Sequence, residues 1–180
     1  MIGPYDPQLP LVIHPELVYA TYLGGPDQDE IRALVVGPDS DVYLAGFTSC
    51  EFPATSGSFQ QSARGKWDGL VARFNASGLV YATYLGSSEE DEATGIAVDA
   101  QGNAYITGVT GGPTQTSSDF PTTPGALQTK SGGNADAFVT KLSGDGTVLV
   151  YSTYLGGDGW ENPSGGWEEA LQSTPAETRS

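Results

Sequence analysis

The chain has 180 residues, of which 38% are hydrophobic, and its 22 acidic against 7 basic residues give a formal charge of −15. This length suits one ordinary domain, and the acidic balance disfavours binding to nucleic acids or to anionic lipid surfaces. The content of 25 glycines and 12 prolines favours many short strands joined by turns, with little helix.

A single cysteine, Cys50, excludes an intrachain disulfide, and we expect it to lie in a loop. No apolar run approaches the roughly 18 residues that a membrane span needs. The first residues lack both the basic start and the apolar core of a signal peptide. We therefore expect no membrane insertion and no export of this chain on its own.

Residues 1–16 carry four prolines, which predicts an extended lead-in rather than a helix. An octapeptide then begins: LVYATYLG at 17–24, LVYATYLG again at 79–86, and LVYSTYLG at 149–156. The starts of the copies, at positions 17, 79 and 149, lie 62 and then 70 residues apart, a period that predicts a repeat protein with several strands per unit. Alternating apolar side chains predict that each copy is a strand between neighbouring sheets.

The remainder of the first unit predicts three more strands, so that each unit has four. We expect, in order, an acidic turn at 27–30, a strand at 33–36, an antiparallel partner strand at 41–48, a long loop at 49–66 and a strand at 67–74. Within the loop, Phe52 and Phe59 are predicted to tuck the chain against the sheet.

The second unit repeats these parts at 95–98, 104–110 and 136–142. Its long loop is six residues longer between Thr110 and Phe120, and two more residues enter before the third octapeptide. Insertions confined to loops indicate a constant scaffold with a variable rim, on which 111–118 is the place for unit-specific contacts.

Several motifs between Leu17 and Gly157 together resemble the bacterial β-propeller repeat often called the SBBP, or seven-bladed propeller, repeat. They are TYLGG, D-x-x-G-N-A-Y-x-T-G-x-T, D-F-P-T-T-P-G-A-L-Q and D-A-F-V-T-K-L. The resemblance implies an all-β fold of radial blades with four antiparallel strands each, and an extracellular or cell-surface setting. It implies no catalytic residues.

We accordingly divide the chain into a lead-in at 1–16, a first blade repeat with a leading edge strand at 17–78, a second with its closing strand at 79–157, and a partly disordered tail at 158–180. Two full blades cannot close a propeller, which needs roughly four to eight. Either the chain is a piece of a longer propeller, or two, three or four copies assemble. In both cases the partners are further blades.

Closely spaced carboxylates precede the second strand of each unit, and hard oxygen ligands of this kind suit Ca²⁺. The candidate metal ligands are Asp27, Asp29, Glu30, Glu89, Asp91 and Glu92, next to Glu90. The alternative is a solvated turn in which Asp29 or Asp91 caps backbone amides. Asp68 and Asp136 are likewise predicted to form turns rather than to act as acids or bases. No other cofactor is expected.

Nothing in the sequence predicts catalysis. The only histidine, His14, has no paired serine motif, and no two carboxylates are fixed at a glycosidase separation. Three tryptophans are candidates for a surface that docks protein or glycan: Trp67, Trp160 and Trp167. We therefore predict a non-enzymatic structural module that acts as a scaffold for assembly or protein binding. The alternative is a carbohydrate- or calcium-binding module.

Overall fold

A computed structural model describes residues 20–49, 51–112 and 119–158. These residues form two antiparallel sheets of four strands, each in simple sequence order. The first sheet consists of β1 (Asp29–Val36), β2 (Val42–Thr48), β3 (Asp68–Asn75) and β4 (Gly78–Leu85). The second consists of β5 (Asp91–Val98), β6 (Ala104–Gly111), β7 (Ala135–Leu142) and β8 (Leu149–Leu155). The predicted all-β fold of four-stranded blades, in an incomplete propeller, is confirmed.

The second and third octapeptides form β4 and β8, the outer strands of the two sheets. Each pairs with the strand that precedes it, β3 or β7. For the first octapeptide the strand prediction is wrong over its described part, because residues 20–24 belong to no strand.

The first strand of each sheet, β1 or β5, begins earlier than the sequence predicts. Asp29 pairs with Thr48 and Asp91 pairs with Thr110, so both aspartates lie inside β1 and β5. The turn predicted at 27–30 is therefore wrong over its second half. A register shift after Ile31, matched in the second sheet, interrupts the alternation of side chains between the two faces of the strand. A search for strict two-residue alternation therefore misses the start of each of these strands.

Sequence repeats and sheets are offset by one strand. The predicted units start at an octapeptide, at 17 and 79, whereas each sheet starts after one octapeptide and ends with the next. This arrangement follows from the hydrogen bonding, because β4 and β8 are bonded to the strand before them and to none that follows.

The long loop of each sheet covers the outer edge of its outer strand. Thr55 N–H donates to the Ala82 carbonyl at 2.9 Å, and Tyr84 N–H donates to the Gln60 carbonyl at 3.0 Å. The second sheet repeats these bonds with Thr123, Ser152, Gln128 and Tyr154. Phe52 is buried and Phe59 half-buried, as predicted. Neither outer strand therefore presents a free hydrogen-bonding edge along these residues.

One face of the first sheet packs against one face of the second, and we call this contact the sheet junction. Its core is a single cluster of buried side chains drawn from both sheets, including Tyr43, Ala45, Val71, Tyr81 and Leu85 from the first and Ala93, Ala104, Ile106, Phe138 and Leu142 from the second. Within the described ranges, no helix has the length and apolar character to cross a membrane.

Candidate functional site

Oppositely charged side chains surround the sheet junction, with the basic member on the first sheet and the acidic member on the second. Nitrogen and carboxylate oxygen lie 3.6 Å apart in Arg32–Glu92, 3.1 Å in Arg64–Asp119 and 2.9 Å in Lys66–Glu90. Partly exposed pairs contribute about 0–1 kcal/mol each. Because the basic residue is on the first sheet in all three pairs, these charges nevertheless favour packing of this face of the first sheet on the second sheet over the reverse arrangement.

Arg73 joins the two sheets at the other end of the junction. Its Nε and Nη2 lie 2.7 and 2.6 Å from the Asp41 carboxylate, and its Nη1 donates to the Gly144 carbonyl at 2.6 Å. The guanidinium also lies over the ring of Tyr43, whose hydroxyl donates to the Gly102 carbonyl at 3.2 Å. Burial raises the pKa of Tyr43, and the charge of Arg73 opposes that rise.

Asp68 and Asp136 hold the turns that lead into β3 and β7. Asp68 accepts hydrogen bonds from the N–H groups of Arg64 and Gly65 at 3.1 and 3.0 Å. Burial raises the pKa of Asp68, and these bonds oppose the rise. Asp136 accepts equivalent bonds from Ser131, Gly132 and Gly133. The prediction that these two aspartates form turns is confirmed.

Asp29 and Asp91 cap the connections that lead into β1 and β5. Asp29 accepts the Gly25 N–H at 2.8 Å, and Asp91 accepts the N–H and the hydroxyl of Ser87 at 2.7 and 2.8 Å. The capping predicted by the solvated-turn alternative is thus observed for both aspartates, whereas the predicted solvation is wrong for Asp91. Asp91 is fully buried, and burial raises its pKa to about 7, with a further small rise from the nearby Asp68.

The predicted calcium ligands take separate roles. Glu30 pairs with Arg32 at 2.7 Å, and Glu92 reaches the same guanidinium. Over residues 20–49, 51–112 and 119–158, no three His, Cys, Asp or Glu side chains converge in a way that would hold a metal ion. Calcium binding by Asp27, Asp29, Glu30, Glu89, Asp91 and Glu92 stays a prediction.

Trp67, the candidate docking residue within the described part of the chain, belongs to the sheet junction. Its ring centroid lies 5.6 Å from that of Phe47, and its carbonyl accepts the Asp91 N–H at 2.9 Å. The ring is half-buried rather than presented as a flat exposed platform. Trp160 and Trp167 lie outside the described residues, and docking at the three tryptophans stays a prediction.

Comparison with known families bears on the same region. Residues 80–113 match the sequence profile of the SBBP β-propeller repeat. The chain carries an SBBP β-propeller repeat. The matched segment runs from β4 through β5 to just past β6, so it spans the sheet junction and confirms the resemblance given by the motifs. The match does not specify a number of blades, and no curated protein matches the chain.

Each sheet has a second face that the junction does not cover. We call the side chains Leu34, Val36, Val42 and Leu44 the free face of the first sheet. Leu34 and Val36 are each 60% exposed. They alternate along β1 with side chains that point into the sheet junction, and a strand that is apolar on both faces is typical of burial on both sides. This face is an apolar patch without a neighbouring sheet among the described residues.

The free face of the second sheet consists of Tyr105, Thr107, Tyr151 and Leu155. Tyr151 is 38% and Leu155 is 40% exposed. Both tyrosine rings stand against each other edge to face, at 6.3 Å between centroids. Two blades that do not close a propeller thus leave one apolar face in solvent at each end of the unit.

Proposed function

We propose that this chain is a non-enzymatic interaction module whose two free faces bind further β-sheet blades, and that it serves as a scaffold in a cell-surface or secreted bacterial protein. The observation that carries the proposal is the pair of apolar free faces at opposite ends of one packed unit. Apolar patches on an otherwise acidic, polar surface are typical of protein contacts.

The hydrogen bonding of the outer edges supports contact through faces rather than through edges. A partner strand adds to a sheet only where backbone groups are unpaired. Here the loops bond to Ala82, Tyr84, Ser152 and Tyr154 on the outer strands. The loops therefore close the outer edges to a partner strand, and the two free faces remain as apolar contact surfaces.

Four aspartates at the starts of strands support a role without catalysis. Asp29, Asp68, Asp91 and Asp136 each accept hydrogen bonds from neighbouring turns. A general base must reach a substrate proton within hydrogen-bond distance, and at least one oxygen of each of these carboxylates is already bonded to backbone N–H groups. The cell-surface setting rests on the resemblance of the motifs to repeats of bacterial surface proteins.

Site-specific photo-crosslinking tests the proposal. A photoreactive residue replaces Val36 on the free face of the first sheet, Tyr151 on that of the second, or the exposed loop residue Gln61 as a control. The full chain is produced in a bacterial host and irradiated. We expect protein adducts at positions 36 and 151 and few at 61. Adducts absent from both faces, or equally frequent at position 61, would contradict the proposal.

A further inference from the structure

We propose that the partner of the free faces is a second copy of this chain, joined head to tail, so that the free face of the second sheet packs on the free face of the first sheet of the next copy. This inference rests on the proposed function and adds the identity of the partner. The sheet junction already present within one chain is the template for the contact between chains.

The free face of the second sheet carries the same kinds of side chain as the junction face of the first. Tyr105 stands in the place of Tyr43 on the second strand of its sheet, and Tyr151 stands in the place of Tyr81 on the fourth. The junction buries Tyr43 and Tyr81 almost completely, at 0% and 2% exposed. Tyr151 therefore has the residue type of a buried junction position while it remains in solvent.

The free face of the first sheet corresponds in turn to the junction face of the second. Val42 and Leu44 stand in the places of Ala104 and Ile106, which the junction buries fully. Leu34 adds a further apolar side chain beside Leu44, with which it is paired. The free face of the second sheet thus resembles the junction face of the first sheet, and the free face of the first sheet resembles the junction face of the second.

A projecting apolar side chain in the loop of each sheet extends this match. Phe59 lines an open groove together with Pro121, Leu149 and their neighbours on the second sheet, and its N–H donates to the Gly146 carbonyl at 2.8 Å. Leu127 occupies the same place in the second loop, one residue before Gln128 as Phe59 is before Gln60, and is 83% exposed.

Two residues that line this groove on the second sheet have counterparts on the first. Pro53 and Leu79 hold the places of Pro121 and Leu149, and both are exposed. In a head-to-tail contact, Leu127 of one copy packs beside Pro53 and Leu79 of the next, as Phe59 packs beside Pro121 and Leu149 within the chain.

Charge contributes little to this match. Arg32, Arg64, Lys66 and Arg73 of the first sheet and its loop all reach toward the second sheet. On the second sheet only the place of Arg73 is basic, with Lys141, because Thr94, Gly132 and Asn134 hold the other three places. Lys141 pairs with Asp99 of its own sheet at 2.9 Å. The head-to-tail orientation therefore rests on the apolar match between the two free faces.

Such a contact joins two different surfaces, so it grows until the copies close a ring. A propeller closes with roughly four to eight blades, which corresponds to two, three or four copies of a two-sheet chain. Rings of this size cover every free face, whereas any open assembly leaves one free face at each end.

The test measures the mass of the purified full chain by sedimentation velocity across a hundredfold range of concentration. Three variants are compared with it: Val36→Asp, which blocks the free face of the first sheet; Leu127→Asp, which blocks the contact of the second; and Gln61→Asp as a charge-matched control. All three positions are exposed, and circular dichroism checks that each variant is folded. We expect wild type and Gln61→Asp to form one closed multiple of the chain mass.

A mixture of the two blocked variants decides the orientation. Alone, each should associate at least about tenfold more weakly than wild type, since one desolvated apolar anchor is worth that much. Mixed in equal amounts, they retain one intact pair of faces and should form a 1:1 dimer. A wild type that stays monomeric throughout, a blocked variant that associates normally, or a mixture that forms no dimer would each overturn the inference. A monomer whose position 36 still crosslinks to another protein would leave the proposed function standing.

Discussion

The ring of Tyr81 in β4 lies against the backbone of Gly146 in the hairpin between β7 and β8. A Cβ atom on Gly146 would overlap that ring. The Gly146 φ angle of +74° is in the left-handed region that favours glycine. This hairpin contains the two residues by which the second unit exceeds the first before the octapeptide. The insertion therefore belongs to the sheet junction and is not a variable surface loop.

Replacing Gly146 by Ala should destabilise the chain more than the same change at Gly125. Both glycines have a similar φ, +74° and +81°, but a Cβ on Gly125 would meet no atom within 4 Å. Gly125→Ala should cost about 1 kcal/mol from the backbone alone, and Gly146→Ala a further 1–3 kcal/mol or so from the overlap with Tyr81. Urea unfolding measures both. Equal losses would show that Tyr81 moves aside freely.

Removing Arg73 should weaken the junction, whereas removing Lys141 at the equivalent place should not. Arg73 pairs with the buried Asp41 and reaches across to Gly144. Lys141 pairs with Asp99 of its own sheet, 2.9 Å away. Arg73→Ala leaves a buried carboxylate without its cation, a change that costs about 3–5 kcal/mol at the upper end.

The comparison is made by thermal unfolding of Arg73→Ala and Lys141→Ala in the same buffer. We expect the larger loss at position 73, and Arg73→Lys should recover only part of it because lysine cannot bind Asp41 and Gly144 together. If Lys141→Ala destabilised the chain as much as Arg73→Ala, the contact across the junction would add nothing to stability.

Sequence patterns specify the strands well because each strand is a local alternation of apolar side chains. The strands at 41–48 and 136–142 are predicted nearly to the residue. Buried aspartates are harder to predict, because the acidic cluster at 89–92 has the composition of a solvated turn and only the packed structure shows that Asp91 is buried. Contacts between sheets, such as Arg64–Asp119, depend on the angle at which two sheets meet, and a single sequence carries no local signal for that angle.

Removing the Tyr84 hydroxyl should expose the loop that covers the outer edge of the first sheet. This hydroxyl accepts the buried N–H of Phe52 at 2.6 Å, and Tyr154 accepts that of Phe120 at 3.0 Å. Tyr84→Phe leaves a buried donor unpaired, which costs about 1–3 kcal/mol.

The loss should be local as well as global. Amide hydrogen exchange at Phe52 should accelerate in Tyr84→Phe, and that at Phe120 should accelerate in Tyr154→Phe. The exposed Tyr22 provides the control, since Tyr22→Phe should change neither. Exchange at Phe52 as slow in Tyr84→Phe as in wild type would mean that another acceptor replaces the hydroxyl.

Replacing Asp91 by Asn should change how stability depends on pH. Burial raises the pKa of Asp91 from its ordinary 3.8 to about 7, so the folded chain keeps a proton that the unfolded chain releases. The stabilising contribution of this proton is complete below pH 4 and is lost as pH rises to 7. Asp68 and Tyr154 are the titratable groups that interact with Asp91, and both remain in the variant.

An asparagine side chain cannot ionise. The free energy of unfolding of the Asp91→Asn variant should therefore rise relative to that of wild type as pH increases from 4 to 8. The gain should be on the order of 1–4 kcal/mol, since each unit of pKa corresponds to about 1.4 kcal/mol. Asp145 is the control: hydrogen bonds from Ser143 and Thr147 lower its pKa from 3.8, so the stability that its carboxylate contributes is lost only as pH falls below about 4, and the difference between wild type and Asp145→Asn should vary little from pH 4 to 8. Urea unfolding at pH 4, 6 and 8 measures both series. An Asp91→Asn difference that does not vary with pH would contradict a protonated, buried Asp91 at the sheet junction.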